Sequence, residues 1–148
     1  MRILALVLLL ATLLLTSCTQ VRHADEVLSE FCREYPIDRR IYSSLANERE
    51  EGHVDREMLR ALYGVSECPV RDFALVFYGK VDTVREIGVF VIGRGEDVME
   101  ISELVARRIS FLSAFSDGEG FIKKYKGALV YGFVESAADT EAIFDSIL

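Results

Sequence analysis

Tryptophan is absent from this chain of 148 residues, proline and histidine occur twice each, and cysteine three times. Two histidines cannot build a three-histidine metal site. Three cysteines with no Cys-x-x-Cys pair and no metal-ligand spacing make neither a zinc module nor a dense disulfide scaffold. Scarce proline and the lack of low-complexity tracts argue against disorder, and the missing tryptophan weighs against a stacking platform for sugars. Basic residues are also short: 17 Lys+Arg face 24 Asp+Glu, a formal net charge of -7. A nucleic-acid binder needs the opposite balance. No Gly-x-Ser-x-Gly or Ser-x-x-Lys nucleophile motif is present.

Apolar residues, by contrast, are concentrated at the start, where they fill 13 of the first 17 positions. Met1-Arg2 precedes an apolar run from Ile3 to Leu15 broken only by Thr12. At ~1.5 Å per helical residue the run is too short for a ~30 Å bilayer core, so it reads as a cleaved signal peptide over 1–17. Leu15-Thr16-Ser17-Cys18 then resembles a bacterial lipoprotein signal, an aliphatic residue and two small ones before cysteine. That resemblance implies cleavage before Cys18 and acylation of its thiol, with chains such as palmitate anchoring the protein in the membrane at roughly 0.8 kcal/mol per buried CH₂. A plain secretory signal with an incidental cysteine is the alternative. Thr19, rather than Asp, carries no inner-membrane retention signal where two membranes exist. The lipidated tether would span only 18–24; its six residues after Cys18 reach at most ~20 Å. The predicted location is the extracytoplasmic face of a bacterial membrane.

Residues 25–148 read as one α+β domain. Val27, Leu28, Phe31, Cys32 and Tyr35 give a helix one buried face, and Pro36 stops it. Arg39-Arg40-Ile41-Tyr42 has a helical cast, followed by a polar loop to Gly52. Asp55 is a predicted N-cap, with Val54 and Leu59 as a staple and Gly64 at the helix end. Phe73 to Gly79 and Glu86 to Ile92 are the strongest strands, apolar enough to be buried on both faces. An apolar stripe predicts a long helix over 97–115, with Glu103 and Arg107 as an outward i,i+4 pair. Asp117 to Gly120 reads as a turn and Gly127 to Val134 as a third strand, before a last helix capped by Ser136. The expected order is ααββαβα, about three strands in a mixed sheet covered by helices, with a right-handed crossover where strands are parallel.

This order, the lipoprotein start, Leu62-Tyr63-Gly64, Glu86-Ile87-Gly88-Val89-Phe90 and Gly127-Ala128-Leu129-Val130 resemble the uncharacterised bacterial lipoproteins of domain-of-unknown-function family 4358. The resemblance covers roughly 25–148 and implies an α+β envelope domain, mainly of Gram-positive bacteria. It implies no catalytic residues. Ser116 to Lys126 is shorter and richer in glycine than the family pattern.

Candidate site residues are few. Cys32 and Cys68, an even pair outside the cytoplasm, could form a disulfide worth about 3–4 kcal/mol; two buried thiols is the equal alternative. As a nucleophile Cys68 would want a histidine, and His53 is the one available. His23, in the tether, reads as surface. Gly93-x-Gly95 follows a strand and precedes a helix, but the third glycine of a dinucleotide loop is replaced by Val98. Asp117 and Glu119 lack calcium-loop spacing. Lys123, Lys124 and Lys126 form the one dense basic cluster, a solvated loop or else a membrane-facing patch; the rest of the acidic body is repelled by anionic lipid. No cofactor and no metal are expected. The expectation is a non-enzymatic interaction or accessory module bound to an envelope protein partner. An envelope hydrolase using carboxylates and a small-ligand-binding lipoprotein are the alternatives.

Overall fold

In the computed structural model, which describes residues 22–35, 37, 39–79 and 83–148, the chain runs α1 (Ala24–Glu34), β1 (Ile41–Ser43), α2 (Arg56–Tyr63), β2 (Asp72–Tyr78), β3 (Arg85–Val91), α3 (Val98–Ser113), β4 (Glu119–Tyr125), β5 (Ala128–Val134) and α4 (Ala137–Ile147). The expected signal peptide over 1–17 and the expected lipidation site Cys18 lie outside the described residues. Local chemistry fixes the helix ends. The Asp55 carboxylate accepts the Met58 N–H at 2.7 Å, and Gly64 closes α2 in the left-handed region at φ 71°. Asp97 caps α3 through the Met99 N–H at 2.8 Å, and Ser136 caps α4 through the Asp139 N–H at 3.3 Å. Val54 and Leu59 are buried in one cluster, as the staple requires.

All five strands share one sheet of order β1-β2-β3-β5-β4, antiparallel at every pairing. One face packs Ala74, Val76, Ile87, Val89, Phe121 and Val130 under α1 and α4, where the rings of Phe31 and Phe144 stack at 4.5 Å. The other packs Phe73, Leu75, Phe90, Leu129 and Tyr131 under α2 and α3. Helices on both faces explain why β2, β3 and β5 carry almost no polar alternation.

This corrects the expected three-stranded mixed sheet. β1 lies where a helical start was expected: Ile41, Tyr42 and Ser43 pair with Val76, Leu75 and Ala74. Three residues are too few to display a period of two. β4 replaces the expected turn and loop. Its glycine is there for close approach, since a Cβ on Gly120 would lie 2.3 Å from Ile109 Cγ2 of α3. The connection from β3 is not a parallel crossover to β5 either. β5 runs antiparallel to both β3 and β4, so β3 and β4 point the same way with β5 inserted between them.

Residues assigned to the tether are already docked. Arg22 forms an ion pair with Glu30 and donates to the Ile147 carbonyl at 3.4 Å. His23 Nδ1 meets Asp72 Oδ2 at 2.8 Å, and Ala24 is fully buried. The Asp72 hydrogen bond and charge hold the His23 pKa above its ordinary value of 6.5. A raised folded pKa means the clasp contributes fully below about pH 6.5 and is lost as pH rises through the folded value. Asp72→Asn should return the ring to ordinary titration. An NMR titration of His23 in both proteins checks this, and an ordinary pKa with Asp72 intact would refute it.

Candidate functional site

A carboxylate within an apolar strand must find partners or destabilise the fold. Glu86, second residue of β3, is 0% exposed, and Arg108 of α3, 9% exposed, meets it. Arg108 Nη2 donates to Oε2 at 2.6 Å, and Nε lies 3.0 and 3.2 Å from the two carboxylate oxygens. Tyr131 OH of β5 donates to Oε1. Having given its one proton to Glu86, Tyr131 must accept from Tyr63 OH of α2, 2.6 Å away. One chain of hydrogen bonds thus joins α2, α3, β3 and β5. Burial pushes both phenols well above the ordinary tyrosine range, and the Glu86 charge adds to it. Burial works against the Arg108 charge, but the hydrogen bonds and charge of Glu86 outweigh it and raise its pKa.

Above this network the C-terminal turn of α2 and the last turns of α3 leave a groove of about 300 Å³. Arg60, Arg107 and Arg108 line it beside Leu62, Tyr63 and Phe111, with no carboxylate among the lining residues. The Arg108 guanidinium lies 5.6 Å from the Phe111 ring. Phe111 and Phe115 stand on the outer side of this end of the domain, 56% and 75% exposed, with ring centroids 4.9 Å apart. Arginine forks and aromatic rings together suit a partner bearing both carboxylates and apolar groups.

A larger, open groove of about 840 Å³ carries His53 and Cys68, brought together from α2's two flanking loops. It does not supply a catalytic pair. His53 Nδ1 is 2.9 Å from the Ala46 carbonyl, and burial pushes the Cys68 thiol up to about 11, the wrong direction for a nucleophile. Glu48, Asp55, Glu57 and Glu67 in the same groove are all exposed. Cys32 and Cys68 are both free thiols packed on opposite faces of the sheet, so the disulfide considered from sequence is not formed. The basic cluster is split by strand alternation. Lys123 faces α4, where Asp145 at 2.7 Å and Glu141 at 3.2 Å neutralise it, while Lys124 and Lys126 stay exposed. Glu103 and Arg107 form no ion pair among the described residues, nor does any group of three His, Cys, Asp or Glu gather there to hold a metal.

Sequence reasoning placed Tyr63, Glu86 and Tyr131 in elements without joining them. The signal was present. Arg108 falls on the buried stripe of α3 at the i+4 step between Leu104 and Leu112, where an aliphatic residue belongs, and Glu86 opens an apolar strand. Two opposite charges on core-facing positions of neighbouring elements ask for each other. The exposed pair Phe111 and Phe115 is an i,i+4 step that begins in the last turn of the same helix. Comparison with known proteins finds no matching family model, no matching curated protein and no matching solved structure.

Proposed function

We propose that the chain is a lipid-anchored module of the extracytoplasmic face of a bacterial membrane, acting by binding another envelope protein and not by catalysis. The observation that carries this reading is the exposed Phe111–Phe115 pair beside an arginine-lined groove, at the end of the domain away from its N-terminus. Sheet register defines the two ends. Asp72, which holds His23, is level with Val91, Ala128 and Tyr125, whereas Glu86 lies level with Phe77 and Phe133 near the other. Seven-residue strands at ~3.4 Å per residue separate the ends by roughly 20 Å. With Arg22 docked, only Thr19, Gln20 and Val21 stand between Cys18 and the folded domain. An anchor at Cys18 therefore holds one end at the bilayer and leaves the aromatic end facing outward. Support for the hydrolase alternative is thinner, because the one fully buried carboxylate among the described residues is held by an arginine fork.

Cys18→Ser tests the anchor. The altered protein should leave the membrane fraction or persist as an uncleaved precursor, and the intact mass of the unaltered protein should show loss of residues 1–17 and gain of acyl chains. Unchanged membrane attachment and maturation would refute it. For the binding role, a photo-crosslinking phenylalanine analogue at Phe115 in intact cells should give one discrete adduct, absent when the analogue replaces Glu34 on the α1 side. Equal adducts at both positions would count against a binding surface.

A further inference from the structure

The groove's charge is out of keeping with the rest of the molecule. The chain has a net charge of -7, and Arg22, Arg40, Arg56 and Lys123 are ion-paired with Glu30, Glu51, Glu67 and Asp145. Basic side chains such as Arg33, Arg49 and Lys124 make no ion pair among the described residues, but the groove gathers three arginines with no carboxylate in its lining. Arg60 and Arg107, exposed on facing helices, have no ion-pair partner among the described residues. Arg108 holds Glu86 with Nε and Nη2 and still lines the groove, which leaves Nη1 for an occupant. Helix geometry does not force this arrangement. Arg60 is one turn from Arg56, and the acids one turn away on the same helices, Glu57 and Glu103, form no ion pair with Arg60 or Arg107 among the described residues.

Resting on the binding-module reading, we propose that this groove docks an acidic segment of the protein partner, with carboxylates on Arg60, Arg107 and the open edge of Arg108, and an aromatic or aliphatic side chain on Phe111 and Phe115. Three features select this occupant. Guanidinium forks match carboxylates two bonds at a time. The volume of about 300 Å³ is at the lower limit for enclosing a small molecule, and fits one or two side chains of a longer segment. The aromatic pair continues the surface beyond the groove, where a small anion would leave it bare. A bilayer is disfavoured as occupant because the groove lies at the end of the domain opposite Arg22.

The test uses the full chain in phosphatidylcholine nanodiscs and a fluorescein-labelled peptide, Gly-Asp-Phe-Glu-Phe-Asp-Gly, read by anisotropy. Saturable binding is expected that weakens as salt rises. Arg60→Glu and Arg107→Glu, both exposed and neither bonded to the buried Glu86–Arg108 pair, should each weaken it about tenfold, and Phe115→Ala severalfold. A peptide with lysine at its three acidic positions should not bind. Binding unaffected by either arginine substitution overturns the assignment, as does equal binding of the lysine peptide. Displacement by inorganic phosphate at the peptide's own concentration would make the groove a small-anion site and overturn it too. No peptide binding alongside a discrete Phe115 adduct would end the acidic-segment proposal and leave the module reading standing.

Discussion

Arg108→Ala is expected to cost about 3–5 kcal/mol of folding free energy, a large share of the ~5–15 kcal/mol that stabilises a typical domain. Truncation removes both arms of the fork that hold Glu86 and leaves a carboxylate at 0% exposure with Tyr131 as its one remaining side-chain donor. The loss is therefore the desolvation of an unpaired charge, far more than the ~0–1 kcal/mol of a surface pair such as Arg56–Glu67. Urea unfolding should show the midpoint falling by more than about 1 M at unchanged slope. Joint replacement, Glu86→Leu with Arg108→Met, should recover most of the loss, because two apolar groups of similar volume demand no partner. A cost under ~1 kcal/mol for Arg108→Ala would mean that the pair is solvated and the network does not organise this face.

The parts of the fold legible in the sequence were those whose burial is two-sided or strictly periodic. Phe73–Tyr78, Glu86–Val91 and Ala128–Val134 are hydrophobic enough to be strands in any register, and the α3 stripe repeats over four turns. The two edge strands were not legible, for different physical reasons. β1 borrows its stability from pairing with β2 and is too short to show a pattern of its own. β4 exposes one face and an edge, so lysines and glycines fill it as they fill a loop, and edge strands carry charge to block further pairing. Phe121, Lys123 and Tyr125 do alternate toward α4, but the lysine's fitness for that face depends on Glu141 and Asp145, 18 and 22 residues further along the chain. The same non-locality hid the candidate site. Arg60 lies forty-seven residues before Arg107, and nothing in either neighbourhood says that α2 and α3 will sit side by side.

The missing parts also change what the anchor implies. A six-residue tether with a free domain would let the groove face any direction, including the bilayer. Docking of Arg22 and His23 onto Glu30, Ile147 and Asp72 leaves only positions 19–21 of the sequence between Cys18 and the docked part, a reach of at most ~11 Å. On the anchoring proposed at Cys18, orientation would follow from chain geometry, and a partner approaching Phe115 would meet it from outside.

Gly88→Ala is expected to remove about 3 kcal/mol, the second largest effect of a single change in this network. Gly88 pairs across the sheet with Leu75 on one side and Tyr131 on the other. A Cβ there would stand 2.1 Å from Tyr131 Cε1 and 2.9 Å from Leu75 Cδ2, both side chains being wholly buried. Flexible side chains relieve such overlaps by rotating away, but Tyr131 is tied at its hydroxyl to Glu86 and Tyr63 and wedged at its ring against Phe90, 5.9 Å between centroids. Relief must come from breaking those bonds or from moving β5. A double-mutant cycle separates the clash from the intrinsic cost of alanine in place of glycine, which in a strand is slightly favourable. In a Tyr131→Leu background, where the smaller side chain leaves room for the methyl, Gly88→Ala should cost at least ~1 kcal/mol less than in the unaltered protein. Equal costs in the two backgrounds would show that the ring does not lie across Gly88, and with it the geometry that seats Tyr131 on Glu86 would fail.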